Sequence, residues 1–204
     1  MNNPLYSFLD TCKKPAGAFG GFLTDVMNVT HGPLVNWVLD HATIEDGDTI
    51  LDVGCGGGAN LIRMAKRYPS SRLGGIDHSE TCIKKSRKAV EKLSSRCRIR
   101  QGNVEELPIR DELFDKVTAF ETIYFWNDPA KGLSEIYRVL KREGRIILAV
   151  EMTDPEKFKK LTADYEDMKI YTADELKKLV HDAGFRYVRV ERKNDWAFIE
   201  GLKV

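Results

Sequence analysis

The chain is predicted to be an α/β three-layer sandwich. Its core is a seven-stranded mixed sheet, mostly parallel, with a C-terminal antiparallel hairpin and an N-terminal helical extension. Three observations predict it. The stretch TILDVGCGGGANL, residues 49–61, runs from a short apolar segment through glycines into a helical pattern. Strand, tight glycine turn and helix open a nucleotide-binding βαβ unit. Strand-like and helix-like segments then alternate to about residue 151, which calls for a parallel sheet covered on both faces. Last, the tail closes with two strands joined through Asn194-Asp195, and a terminal hairpin makes the sheet mixed.

Residues 1–43 read as helices and form an expected extension or lid; residues 44–204 form the main domain. Asn3 and Pro4 suit a helix start, and Leu5, Phe8, Leu9 and Cys12 follow at helical spacing. Phe22, Leu23, Val26 and Met27 mark a second short helix. Leu34, Val35, Val38 and Leu39 mark a third, after the break at His31-Gly32-Pro33.

Strand 49–53 leads to helix 59–68, which Pro69 stops. Strand 72–77 leads to helix 79–93, with Ser79 as cap. Strand 97–101 runs into a loop ending at Pro108. Strand 114–120 leads to a loop and then a helix opened by Asp128-Pro129. Gly144 turns the chain into strand 145–151. Asp154-Pro155 opens a helix to about residue 165. Thr172 and Glu175 make a capping box for helix 173–183, which Gly184 ends. Strands 185–192 and 196–203 complete the seven.

Composition excludes several classes. At 204 residues the length suits one sizeable core. The net charge of +1 gives no bulk electrostatic footprint for nucleic acid, and Lys84, Lys85, Arg87 and Lys88 read as a solvated helix face. No apolar run is long enough to span a membrane. The start, Met-Asn-Asn-Pro, has no signal-peptide pattern. Four scattered cysteines, Cys12, Cys55, Cys82 and Cys97, suggest neither zinc site nor disulfide framework, so a reduced cytoplasmic setting is expected. His31, His41, His78 and His181 have no Cys or His at ligand spacing, so no metal is expected.

The glycine turn defines the ligand by charge. Gly54-x-Gly56-x-x-Ala59 fits the relaxed dinucleotide fingerprint, which serves a pyrophosphate. Asp52, two residues before the first glycine, opposes a phosphate and favours a cation bearing an amino group. S-adenosylmethionine has an α-amino group, a sulfonium and a ribose, and no phosphate. Asp77 ends the second strand, where a ribose-binding acid is expected.

Leu51-Asp52-Val53-Gly54-Cys55-Gly56-x-Gly58, together with Gly75-Ile76-Asp77-His78-Ser79, resembles motifs I and II of class I S-adenosylmethionine-dependent methyltransferases. Further matches lie at Gln101 to Pro108 and Phe114 to Asp128, and the resemblance covers about residues 45–204. It implies a cofactor site built from Asp52, Gly54, Cys55, Gly56, Gly58, Asp77, His78, Asn103, Val104 and Glu121. The glycines admit the methionine portion. Asp77 takes the ribose diol, against a competing role as a helix cap. His78 and Val104 flank the adenine, against a surface and a core role respectively. Asn103 stands where the family more often has Asp; its carbonyl still accepts from adenine N6.

The loop Phe120 to Asp128 follows the fourth strand and lies opposite the glycine turn. Glu121 is expected near the methyl group, for orientation or general base work. Tyr124 and Trp126 are candidates to line an aromatic receptor pocket, or else to pack the next helix. His31 and Trp37 are candidates to complete that pocket. Glu121, Tyr124, Trp126 and His31 are thus the expected catalytic group.

The expected activity is in-line methyl transfer to a small-molecule acceptor. Balanced charge, the aromatic loop and the lack of an appended recognition domain favour it. Nucleic acid and membrane partners are disfavoured, and self-association is left open. The alternatives are a protein or RNA methyltransferase, a nicotinamide-dependent oxidoreductase and a non-catalytic S-adenosylmethionine-binding module.

Overall fold

A computed structural model describes residues 31–93, 95–162 and 168–204. The two helices expected before residue 31 lie outside the described residues. Helix α1 is Gly32–His41, followed by β1 Thr49–Val53, α2 Ala59–Arg67, β2 Arg72–Asp77 and α3 Glu80–Ala89. Then come β3 Cys97–Gln101, β4 Phe114–Phe120, α4 Pro129–Val139 and β5 Leu140–Val150. Helix α5 Lys159–Thr162, α6 Ala173–Asp182 and the hairpin β6 Arg186–Lys193 and β7 Trp196–Leu202 finish the chain.

The sheet has seven strands in the order β3-β2-β1-β4-β5-β7-β6. Strands β1 to β5 are parallel, and β7 is antiparallel to both β5 and β6. Strand order reverses between β1 and β4, so a crevice opens above their carboxyl ends. The three-layer sandwich and its terminal hairpin are therefore as expected.

Two apolar clusters sandwich the sheet. On one face α1 and α2 bury Leu34, Val35, Val38, Leu61 and Met64 against Ile50, Phe120 and Phe198. On the other, Leu133, Ile136, Leu176 and Val180 from α4 and α6 pack on Leu51, Val117, Ile146 and Ile199. Each buried aliphatic side chain contributes roughly 1.5–3 kcal/mol. The caps act where the sequence places them. Ser79 accepts from the Cys82 N–H, Asp128 from the Lys131 N–H, and Thr172 with Glu175 forms the full capping box.

Three elements depart from expectation. Helix α3 ends at Ala89, and its expected last turn is a 3₁₀ turn, Glu91–Leu93. Strand β5 begins at Leu140, not after Gly144. Leu140 already pairs with Phe114, and a register shift then precedes the Lys116–Arg145 pair. Glu143, at φ 64°, carries the extra residues as a bulge held by hydrogen bonds to Lys203. The helix expected from Asp154 is regular only at Lys159–Thr162 among the described residues; Asp154 instead accepts the Glu156 and Lys157 N–H groups in a turn. Residues 163–167 lie outside the description.

Helix α1 is tied to the hairpin. Trp37 packs edge-on against Phe198, with ring centroids 5.4 Å apart, and also meets Trp196. That contact mounts α1 on β7. Among the described residues no helix is long and apolar enough to cross a membrane.

Candidate active site

The glycine turn sits between β1 and α2. Gly54, Gly56 and Gly58 have φ of 73°, 51° and 84°, the left-handed region that glycine tolerates best. At Gly54 space also demands glycine: a Cβ there would lie 2.2 Å from Thr122 Cγ2. Gly54→Ala is therefore expected to destabilise the fold by about 1–3 kcal/mol, seen as a lower chemical-denaturation midpoint. The Cys55 side chain points away into the core, and burial pushes its thiol pKa up. Only the Cys55 backbone remains at the turn.

Asp52 is buried at the carboxyl end of β1. Its Oδ1 accepts from Thr118 Oγ1 at 2.8 Å, because Asp52 and Thr118 stand opposite each other in the β1–β4 register. Its Oδ2 is buried with no hydrogen-bond partner among the described residues. Burial, with a contribution from the Asp77 charge, raises the Asp52 pKa to about 7, against the pull of Thr118. A buried acceptor atom left open in this way suits a ligand that brings a cationic donor.

Asp77 is a clamp on the turn itself. Its Oδ2 accepts the Gly56 N–H at 2.9 Å and its Oδ1 the Ser79 N–H at 2.8 Å. It thus has the capping contact weighed as its alternative role, and in addition holds the glycine loop. Each carboxylate oxygen keeps a second lone pair for a hydroxyl. His78 is half exposed beside it.

The loop after β3 is held from below. Asn103 is exposed, and its carbonyl accepts the Glu105 N–H. Glu105 in turn accepts from Asn127 and Asp128 N–H groups, and Glu135 accepts from Leu107 N–H. Arg138 binds Glu135 and the Leu107 and Ile109 carbonyls, fastening this loop to α4. Val104 is buried with the core on that side.

Of the expected aromatic lining, Trp126 is only 9% exposed and its ring lies against Gly132, where a Cβ would come within 2.9 Å. It packs α4 on the sheet, which corrects its placement in a receptor pocket. Tyr124 is also buried, but its hydroxyl is used: it accepts the Met152 N–H at 2.9 Å and lies 3.3 Å from Glu121 Oε1. Burial and the neighbouring Glu121 charge push its pKa well up.

Glu121 follows β4 with φ of 60°, an uncommon conformation for a residue with a side chain. Its N–H bonds Ala149 O, and its Oε1 accepts the Glu151 N–H. Its Oε2 faces His31 Nδ1 at 3.8 Å, while His31 Nδ1 is 2.8 Å from Glu151 Oε2. Burial raises the Glu121 pKa to about 7 against the His31 charge. Burial works against a charged His31, yet the Glu151 hydrogen bond and both carboxylate charges raise its pKa on balance. Thr122, next to Glu121, packs on Gly54, so this acidic group adjoins the glycine turn.

Glu151 and Thr118 were not foreseen. Thr118 is detectable once β1 and β4 are put in register. Glu151 lies 120 residues from His31 and is brought there only because β5 lies beside β4.

A family model described as a methyltransferase domain matches residues 51–148. The uncharacterized methyltransferase YdaC of Bacillus subtilis is 33% identical over 138 residues, 66% of this chain and 75% of that protein. The chain belongs to the S-adenosylmethionine-dependent methyltransferase family. A ubiquinone biosynthesis O-methyltransferase of Alkalilimnicola ehrlichii is 34% identical over 114 residues, 55% of this chain and 45% of that protein. A solved SAM-dependent methyltransferase from Aquifex aeolicus superposes with a TM-score of 0.68 at 22% identity, covering 83% of this chain and 89% of that one. The methyltransferase's open Asp52 Oδ2 suits a cationic amino group such as that of S-adenosylmethionine, and the Asp77 carboxylate suits a ribose diol.

Proposed function

We propose that this methyltransferase alkylates a small-molecule acceptor bound above the carboxyl ends of β1, β4 and β5. The observation that carries the reading is the contact of Thr122 with Gly54. It sets Glu121, only 9% exposed in its side chain, beside the turn that receives the methionine portion. The strand-end site bears Asp52, Asp77, Glu121 and Glu151. Such a site disfavours a phosphate backbone and a dinucleotide pyrophosphate. The relative from Alkalilimnicola ehrlichii is named for a ubiquinone pathway, which agrees with a small acceptor.

When bound, S-adenosylmethionine supplies an electrophilic methyl group on a sulfonium. Asp52 takes the amino group through the open Oδ2, and Asp77 takes the ribose hydroxyls. His78 and Asn103 flank the adenine, with Val104 behind. Glu121 and Tyr124 fix the acceptor side, and His31 covers it. The protein's work is alignment and exclusion of water.

Calorimetry with S-adenosylmethionine and S-adenosylhomocysteine tests this; a folded sample that binds neither would sink it. A pH series adds a second check. The amino group needs an ionised Asp52, whose pKa stands at about 7 in the free protein. Affinity is therefore expected to climb as pH rises toward 7 and to level off above it. Asp52→Asn should bind more weakly and lose most of that slope. An unchanged slope would assign the proton to another group.

A further inference from the structure

We propose that His31, Glu121 and Glu151 hold a divalent transition-metal cation on the acceptor side of the site. The three residues come from the entry to α1 and from the ends of two neighbouring strands. One ligand-type atom from each lies within 4.8 Å of the others. A cation holding nitrogen and oxygen donors at about 2.0–2.2 Å sets them roughly 3–3.5 Å apart. His31 and Glu151, now joined by a direct 2.8 Å hydrogen bond, need to part by only a few tenths of an ångström to reach that spacing. Glu121 Oε2, at 3.8 Å from His31, is too far for a hydrogen bond and near enough to share an ion.

The surroundings are those of a ligand set rather than of a surface ion pair. The other oxygen of Glu121 is fixed by the Glu151 N–H and adjoins the Tyr124 hydroxyl, so Oε2 is turned toward His31. Outer hydrogen bonds of this kind orient carboxylate ligands in metal sites. Two carboxylates with side-chain exposures of 9% and 21% converge on one imidazole, and a divalent cation would draw all three ligand atoms together. One nitrogen and two oxygens suit manganese, iron, cobalt or zinc better than the all-oxygen sites of calcium or magnesium. Three protein ligands leave coordination positions open, and an acceptor hydroxyl or enolic oxygen would fill one beside the methyl donor. The acceptor role rests on the methyltransferase reading above; the cation site itself does not.

The test uses the full chain, stripped with a chelator. Cobalt(II) is titrated while the visible spectrum is recorded, and manganese(II) and zinc(II) are titrated by calorimetry. S-adenosylhomocysteine is titrated separately into the same preparation. The expected result is one saturable site with cobalt ligand-field bands. Affinity should fall at least about tenfold in Glu151→Gln and in His31→Ala, with circular dichroism confirming that both variants are folded. A wild-type chain that binds S-adenosylhomocysteine but none of the three metals overturns the cation site and leaves the methyltransferase reading intact. Metal binding that both folded variants retain unchanged also overturns it. Metal binding without S-adenosylhomocysteine binding would support the site and count against the reading of the cofactor pocket.

Discussion

Asp77→Ala is expected to weaken S-adenosylmethionine binding by at least roughly a hundredfold. Two hydrogen bonds from a carboxylate to a ribose diol contribute about 1.5–3 kcal/mol each, and about 1.4 kcal/mol is a factor of ten. The same carboxylate also holds Gly56 N–H and Ser79 N–H. Its loss therefore frees the turn that must approach the ligand, and the free protein becomes less preorganised. Asp77→Asn keeps one acceptor oxygen and should lose less. Calorimetry on both variants checks the order. Unaltered affinity in a folded Asp77→Ala protein would mean that the ribose sits elsewhere.

The largest expected loss of stability is at Glu200, far from the chemistry. Its side chain is fully buried in β7. Burial alone would raise its pKa. Hydrogen bonds from Thr43 and Arg189, with the Arg189 charge, hold it below the usual carboxylate value instead. It also pairs with Arg145 at 3.1 Å. Glu200→Ala leaves two guanidinium groups and the Thr43 N–H without their shared acceptor. Because both arginines reach solvent, the expected cost is about 2–3 kcal/mol, below the upper range for a broken buried pair. The melting temperature should fall by roughly 5–10 °C. The sign with pH follows from the lowered pKa: Glu200 stabilises the fold above the unfolded value near 4.5 and loses that contribution as pH drops through its folded value. An unchanged melting temperature would show that the arginines find other partners.

Much of the cofactor side was legible in the sequence because its parts are contiguous. Asp52, the glycines and the start of α2 lie within one strand–turn–helix, and Asp77 ends the next strand. Local spacing is enough to place such groups. The acceptor side was only half legible. Glu121 could be named from its position after β4, but its companion Glu151 comes from the adjacent strand. That pairing depends on strand order, which no local pattern records. Trp126 misled for a related reason: an aromatic residue after a strand looks the same whether it faces a pocket or a helix. Here Gly132 on α4 leaves a space that the indole fills. The early start of β5 was hidden by Gly144, which reads as a turn and is in fact part of a bulge beside the C-terminal strand.

The neighbouring strands β4 and β5 have one more consequence. Glu121 and Glu151 each follow the end of a parallel strand, and Glu121 N–H still bonds across to Ala149. Their separation is thus ruled by the backbone pitch of the sheet, about 4.8 Å between strands, and not by the loops that carry them. The acid pair is a fixed gauge, and His31 reaches it from the entry to α1, which Trp37 ties to β7.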